Sequence, residues 1–208
     1  MNLPNKLSLL RIILIPITLL FMLPISIYGF EPTAWNTFIN DYGMYIAAIV
    51  FVIASLTDLV DGKIARKYNL ITNLGKFLDS LADKMLVISV LIALVDLGRI
   101  SSVWVAIIVL REFMVTGIRL MASQNGVVMA AEMIGKIKTV TQMVAITYLM
   151  FESLLIKVIH HFASCNLENL TSVVQYIGDG LFLICVIMTI ISGMDYLLHN
   201  LNYFKESK

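Results

Sequence analysis

The sequence predicts an all-α, polytopic membrane protein with six transmembrane helices. Three observations carry that expectation. The 208 residues are 59% hydrophobic, with a mean hydropathy of +0.89, and only 14% charged, against roughly 25% in a soluble domain. The apolar residues gather into six segments, approximately 9–29, 42–62, 77–97, 102–122, 137–158 and 173–198. Lysine and arginine then fall almost entirely on one side of the membrane when those segments are threaded through it.

The first segment sets the class. Residues 12–30 carry no charge, and at about 1.5 Å per residue such a run matches a hydrocarbon core of roughly 30 Å. Lys6 and Arg11 precede it, as in a secretory leader. The run is longer than a leader's apolar region, however, and no small-residue cleavage site follows. It reads as a retained anchor, with bends at Pro16 and Pro24. The second segment is uncharged until Asp58. The third contains Asp79, Asp83 and Lys84, and the fourth contains Arg111 and Glu112; bundled helices carry such groups when they face protein or water. The fifth and sixth are the longest. The connections 30–41, 63–76, 98–101, 123–136 and 159–172 are too short for a separate soluble domain. Residues 1–208 therefore read as a single integral membrane domain.

With the N-terminus in the cytoplasm, six spans return the C-terminus to the same side. That side holds Lys6, Arg11, Lys63, Arg66, Lys67, Lys76, Lys84, Arg111, Arg119, Lys136, Lys138, Lys205 and Lys208, while the other keeps Arg99 and Lys157. Positive residues favour the cytoplasmic face, so both termini are expected there. No basic stripe interleaved with aromatics suggests nucleic acid. Cys165 lies in a polar connection and Cys185 in an apolar run, which argues against a disulfide.

The same threading groups four acids at one membrane face. Asp58 and Asp61 are three residues apart and Asp79 and Asp83 four, so each pair shares one side of a helix. The connection 62–76 is long enough to bring the pairs together. Four crowded carboxylates repel one another, and oxygen donors suit Mg²⁺, Mn²⁺ or Ca²⁺. Two such ions form a common clamp for phosphoryl chemistry. Gly62, Ala65 and Gly75 would let a ligand approach the backbone, and Arg66 offers a planar cation for a pyrophosphate oxygen. The bland alternative is interfacial solvation of paired charges, with the glycines serving helix packing.

The spacing D-x2-D-G-x2-A-R-x8-G-x3-D-x3-D is met by Asp58, Asp61, Gly62, Ala65, Arg66, Gly75, Asp79 and Asp83. It resembles the signature of the CDP-alcohol phosphotransferases. That resemblance implies the CDP-alcohol phosphotransferase fold, a homodimer, two divalent cations (Mg²⁺ or Mn²⁺) and a CDP-linked donor. It implies that Asp58, Asp61, Asp79 and Asp83 hold metal, that Asp83 is also the catalytic base, and that Gly62, Ala65, Arg66 and Gly75 line the CDP site. Spacing alone leaves the base open between Asp79 and Asp83. The opening NLPNKLSLLRIILIP is similar too, with Asn5 and Arg11 at positions used near the donor; Ser8 stands where threonine is expected.

A second block lies at 111–142. Arg111 and Arg119 are eight residues apart, an offset of about 80° on a helix, and both can border one cavity. Lys136 and Lys138 point to nearly opposite sides of a regular helix, so both reach one anion only if the helix starts or distorts near Gly135. These four residues suggest a site for an acceptor that carries phosphate; the competing expectation is that they snorkel to lipid headgroups. REFxVTGxRL followed by GKIKTxxQ resembles the phosphatidylglycerophosphate-forming branch of the family. It implies sn-glycerol 3-phosphate as acceptor, CDP-diacylglycerol as donor, and an active site at the cytoplasmic face of the inner (plasma) membrane, among membrane lipids. A cardiolipin or phosphatidylinositol-phosphate synthase is the near alternative. A divalent-cation transporter is the distant one, disfavoured because the acids sit at one face and no inverted repeat is evident. His160 and His161 read as an exposed loop pair, Asp179 as a group that caps or pairs locally, and Asp195 as a support for the basic cluster.

Overall fold

The computed structural model describes residues 3–26, 31–67, 73–124, 133–162 and 167–199; within the helices, the side chains of 3–4, 58–67, 73–74, 76–77, 80, 123–124, 161–162 and 167–168 lie outside the description. The described residues are helical apart from short connections, and none of them is in a strand. In chain order they form α1 (Leu3–Met22), a short α2 (Thr33–Phe38) running into a π-helical turn (Ile39–Gly43), α3 (Met44–Lys67), α4 (Asn73–Asp96), α5 (Ser102–Gln124), α6 (Met133–Phe162) and α7 (Leu167–His199). The six long helices correspond to the six apolar segments.

Their limits differ in instructive ways. The first helix starts and stops about two turns earlier than the apolar run 9–29. Pro24 ends it: the residue before a proline is driven out of the helical region, so the charge-free run outlasts the helix. Pro16, expected as a bend, lies inside α1. The connection 63–76 is mostly helix, because α3 continues to Lys67 and α4 begins at Asn73. Lys63, Ile64, Ala65, Arg66 and Lys67 include no breaker, and a helix need not stop where the hydrocarbon does. His160 likewise sits in the last turns of α6 rather than in a loop, with Nε2 3.2 Å from Thr171 Oγ1 on α7. Cys165 lies outside the described residues; Cys185 is a buried free thiol.

The chain divides into two compact units, 1–99 and 100–208. In the first, α1 packs on α3 and α4. Its inward stripe is Asn5, Ser8, Arg11, Ile15, Thr18 and Met22, all buried, at the three- and four-residue spacing of one helix face. On α3, Ala47, Ala48 and Ala54 are fully buried beside Phe51; small side chains let membrane helices approach closely. A close approach occurs at Gly43, where an added Cβ would lie 2.2 Å from the carbonyl oxygen of Phe21. Gly43→Ala therefore requires backbone movement, and it is expected to cost about 1–3 kcal/mol, read as a lowered melting temperature in detergent. Asn36 clasps the chain after α1, donating to Ile25 O and accepting from Ile25 N, both at 2.9 Å. The first unit closes on Gly98, whose φ of +69° puts it in the left-handed region. Gly98 N donates to Val95 O and Arg99 N to Leu94 O, each at 2.9 Å, the paired bonds of a Schellman end.

In the second unit α7 packs against both α5 and α6. Tyr148 Oη on α6 donates to Val174 O at 3.0 Å. Ala145, Ile146, Leu149 and Met150 meet a core with Val174, Phe182, Cys185 and Val186. Thr189, fully buried, satisfies its hydroxyl on Cys185 O at 2.7 Å. In both units large apolar side chains such as Leu9, Ile13, Ile53, Leu110, Val140, Ile184 and Ile191 face outward, as lipid requires and water would penalise. Among the described residues, four helical stretches, Asn5–Met22, Thr33–Thr57, Met133–His160 and Asn169–His199, are long and apolar enough to cross a bilayer. The protein is a membrane protein.

Candidate active site

The polar half of the α1 stripe leads to the acids. Arg11 is 1% exposed, with Asn5 and Ser8 buried on the same face toward the N-terminus. A guanidinium taken so fully from water needs compensation. Arg11 Nη1 donates to Asp79 Oδ1 at 3.2 Å. This bond ties α1 to α4 across 68 residues of sequence. Asp79 remains 45% exposed, so the pair lies at an edge rather than in a sealed core.

On α4, Gly75, Asp79 and Asp83 follow at successive four-residue steps and are all half-buried. They therefore run along one face of the helix. Asp58, Asp61, Gly62, Ala65 and Arg66 lie in the C-terminal part of α3, a helix that packs on both α1 and α4, but their side chains lie outside the described residues. Among the described residues no three acids, histidines or cysteines converge on a metal position; two of the four aspartates are in that set. The donors present are carboxylate oxygens, one of them already bound to a cation and partly open to solvent, and such donors fit a hard divalent ion.

The second unit holds the basic residues. Arg111 is 12% exposed and Lys138 3%. Both meet Glu112: Arg111 Nη1 lies 3.3 Å from Glu112 Oε1, and Lys138 Nζ forms an ion pair with the same oxygen. Arg111 Nη2 donates to Ser192 Oγ on α7 at 2.5 Å. Lys138 thus does not snorkel to headgroups. Lys136 is exposed, on the other side of α6, as a two-residue spacing requires. Arg119 is exposed too, with its guanidinium 5.5 Å from the centre of the Tyr196 ring, a cation–π distance. Asp195 pairs with His199 at 3.2 Å; the acid at the basic cluster is Glu112. Ser192 and Gly193 carried no signal in the sequence, because a small pair in an apolar helix usually reads as packing.

A sequence model of the CDP-alcohol phosphatidyltransferase family matches residues 1–191. The chain belongs to that family. It is an enzyme, a transferase, as CDP-alcohol phosphatidyltransferases are, and the match runs through both compact units. Named relatives sharpen the comparison. The chain is 41% identical over 212 residues to the CDP-diacylglycerol–glycerol-3-phosphate 3-phosphatidyltransferase of Bacillus subtilis (strain 168), covering 99% of this chain and 98% of the relative. It is 34% identical over 203 residues to the enzyme of the same name from Rickettsia bellii (strain RML369-C), covering 98% and 97%. The Shigella flexneri enzyme of that name is 32% identical over 203 residues, covering 94% of this phosphatidyltransferase and 93% of its own length.

Proposed function

We propose that the protein transfers the phosphatidyl group of CDP-diacylglycerol to sn-glycerol 3-phosphate, giving phosphatidylglycerophosphate and CMP. The carrying observation is the end-to-end similarity to relatives that bear that activity in their names. The acceptor's hydroxyl oxygen bonds to the phosphatidyl phosphorus, the bond from that phosphorus to CMP breaks, and the hydroxyl proton passes to a carboxylate. Asp83 is that base. The resemblance of the motif to the family signature supports Asp83 in that role.

Asp58, Asp61, Asp79 and Asp83 would hold two divalent cations, Mg²⁺ or Mn²⁺. When bound, such ions neutralise phosphate oxygens and stabilise the charge that develops on them. Asn5, Gly62, Ala65, Arg66 and Gly75 receive the CDP moiety, with Arg11 steadying Asp79 from α1. The acceptor's phosphate falls to Arg111, Arg119, Lys136 and Lys138. All six long helices span the inner (plasma) membrane as one integral domain of the CDP-alcohol phosphotransferase fold, with both termini and the reacting groups on the cytoplasmic side. This threading is supported by the lysine and arginine asymmetry. Two copies assemble as a homodimer.

The test is CMP release from purified protein with Mg²⁺ and CDP-diacylglycerol. Release is expected with sn-glycerol 3-phosphate and not with phosphatidylglycerol or inositol phosphate. Turnover with phosphatidylglycerol instead would make the protein a cardiolipin synthase, and turnover with inositol phosphate a phosphatidylinositol-phosphate synthase.

A further inference from the structure

Glu112 stands between two cations in a region assigned to binding an anion. An acid there opposes the ligand's charge, so its presence asks for a reason. Lys138 is 3% exposed, and a buried ammonium without an acid is strongly destabilising. Arg111 runs between two glycines. An added Cβ on Gly193 would lie 3.0 Å from Arg111 Cγ, and one on Gly135 would lie 4.0 Å from Arg111 Nη2. The guanidinium therefore reaches from α5 past α7 to the first turn of α6. Glu112 Oε1 receives both cations, and Ser192 holds the far side of Arg111.

Two donors in this region have no partner among the described residues. They are Arg111 Nε and Gln142 Nε2. Gln142 is 3% exposed and sits one turn beyond Lys138 on the buried side of α6. Buried donors left unpaired are costly, and oxygen atoms of an anionic ligand are what would satisfy them. Two cations and one acid leave the cluster a single positive charge, enough to attract an anion while tolerating its absence.

We propose that Glu112 is a positioning residue for the phosphate-bearing acceptor, holding Arg111 and Lys138 in register so that the donors beside them meet its oxygens. This rests on the transferase reading above. In the sequence Glu112 stands beside Arg111. Its link to Lys138 spans 26 residues.

The experiment measures CMP release at varied acceptor and at varied donor for wild type, Glu112→Gln and Glu112→Asp. Glu112→Gln is expected to raise KM for sn-glycerol 3-phosphate about tenfold or more, the effect of weakening a charged hydrogen-bond set. KM for CDP-diacylglycerol should stay within roughly twofold. Glu112→Asp, which keeps the charge, should fall between wild type and Glu112→Gln. In thermal melting, Glu112→Gln with Lys138→Met should melt above Glu112→Gln alone, because the uncompensated ammonium is gone. Parallel rises in both KM values, or an Asp variant as impaired as the Gln variant, would reduce Glu112 to a packing role and overturn the proposal. Wild type that releases no CMP would overturn the transferase reading, and this assignment with it; an active wild type separates the two failures.

Discussion

Chelating divalent cations should bring CMP release by the purified protein to background, and Mg²⁺ or Mn²⁺ should restore it. The expectation follows from the chemistry of the motif. Asp58, Asp61, Asp79 and Asp83 offer only carboxylate oxygens, and a diphosphate donor brings further negative charge to the same residues. Arg11 reaches Asp79, and one guanidinium does not by itself offset a diphosphate brought beside carboxylates. Hard divalent cations do, and they contribute several kcal/mol to the transition state, which is about 10²- to 10⁴-fold in rate. Residues 58–83 contain no cysteine or histidine for a soft-ligand metal to prefer. Undiminished turnover in chelator, with metal content verified as negligible, would remove the carboxylate clamp from the mechanism. The acids would then be explained by solvation of helix ends.

The apolar segments located all six long helices, because burial in hydrocarbon or in a helix core leaves a composition signature that needs no knowledge of neighbours. Their ends were less legible. The uncharged run 12–30 continues past Pro24, while α1 stops at Met22; hydropathy records what lipid tolerates and proline decides where the backbone can stay helical. The connection 63–76 looked polar and is mostly helix, since charged residues with good helix propensity extend a span beyond the membrane. Spacing placed Asp79 and Asp83 on one face, and likewise put Lys136 and Lys138 on opposite faces, because both are properties of a single helix. Which lysine turns inward depends on the register between α5 and α6, and that is non-local. Lys138 is therefore buried on Glu112 although nothing in its own neighbourhood says so. The link from Arg11 to Asp79 is of the same kind: the resemblance put Arg11 near the donor and Asp79 at the metals, but not against each other.

Asp83→Asn is expected to lower kcat by about 10²- to 10⁴-fold, the range of a lost general base, while CDP-diacylglycerol binding survives. The amide keeps the size of the carboxylate and one oxygen acceptor, but it cannot take the acceptor's proton. Asp79→Asn provides the contrast. Asp79 is 45% exposed and accepts from the buried Arg11, so its amide still offers an oxygen to that guanidinium but replaces an ion pair by a bond from a charged donor to a neutral acceptor, about 1–2 kcal/mol of difference. Its main effect should be a higher metal requirement and a lower melting temperature, with kcat partly recovered at saturating Mg²⁺. Asp83→Asn should gain little from added metal. Measuring kcat against Mg²⁺ for the two variants separates the roles, because a base that is missing cannot be replaced by more of the ion. If the pattern were reversed, with Asp79→Asn flat in metal and Asp83→Asn rescued by it, the proton would belong to Asp79, and Arg11 would be the group that orients the base.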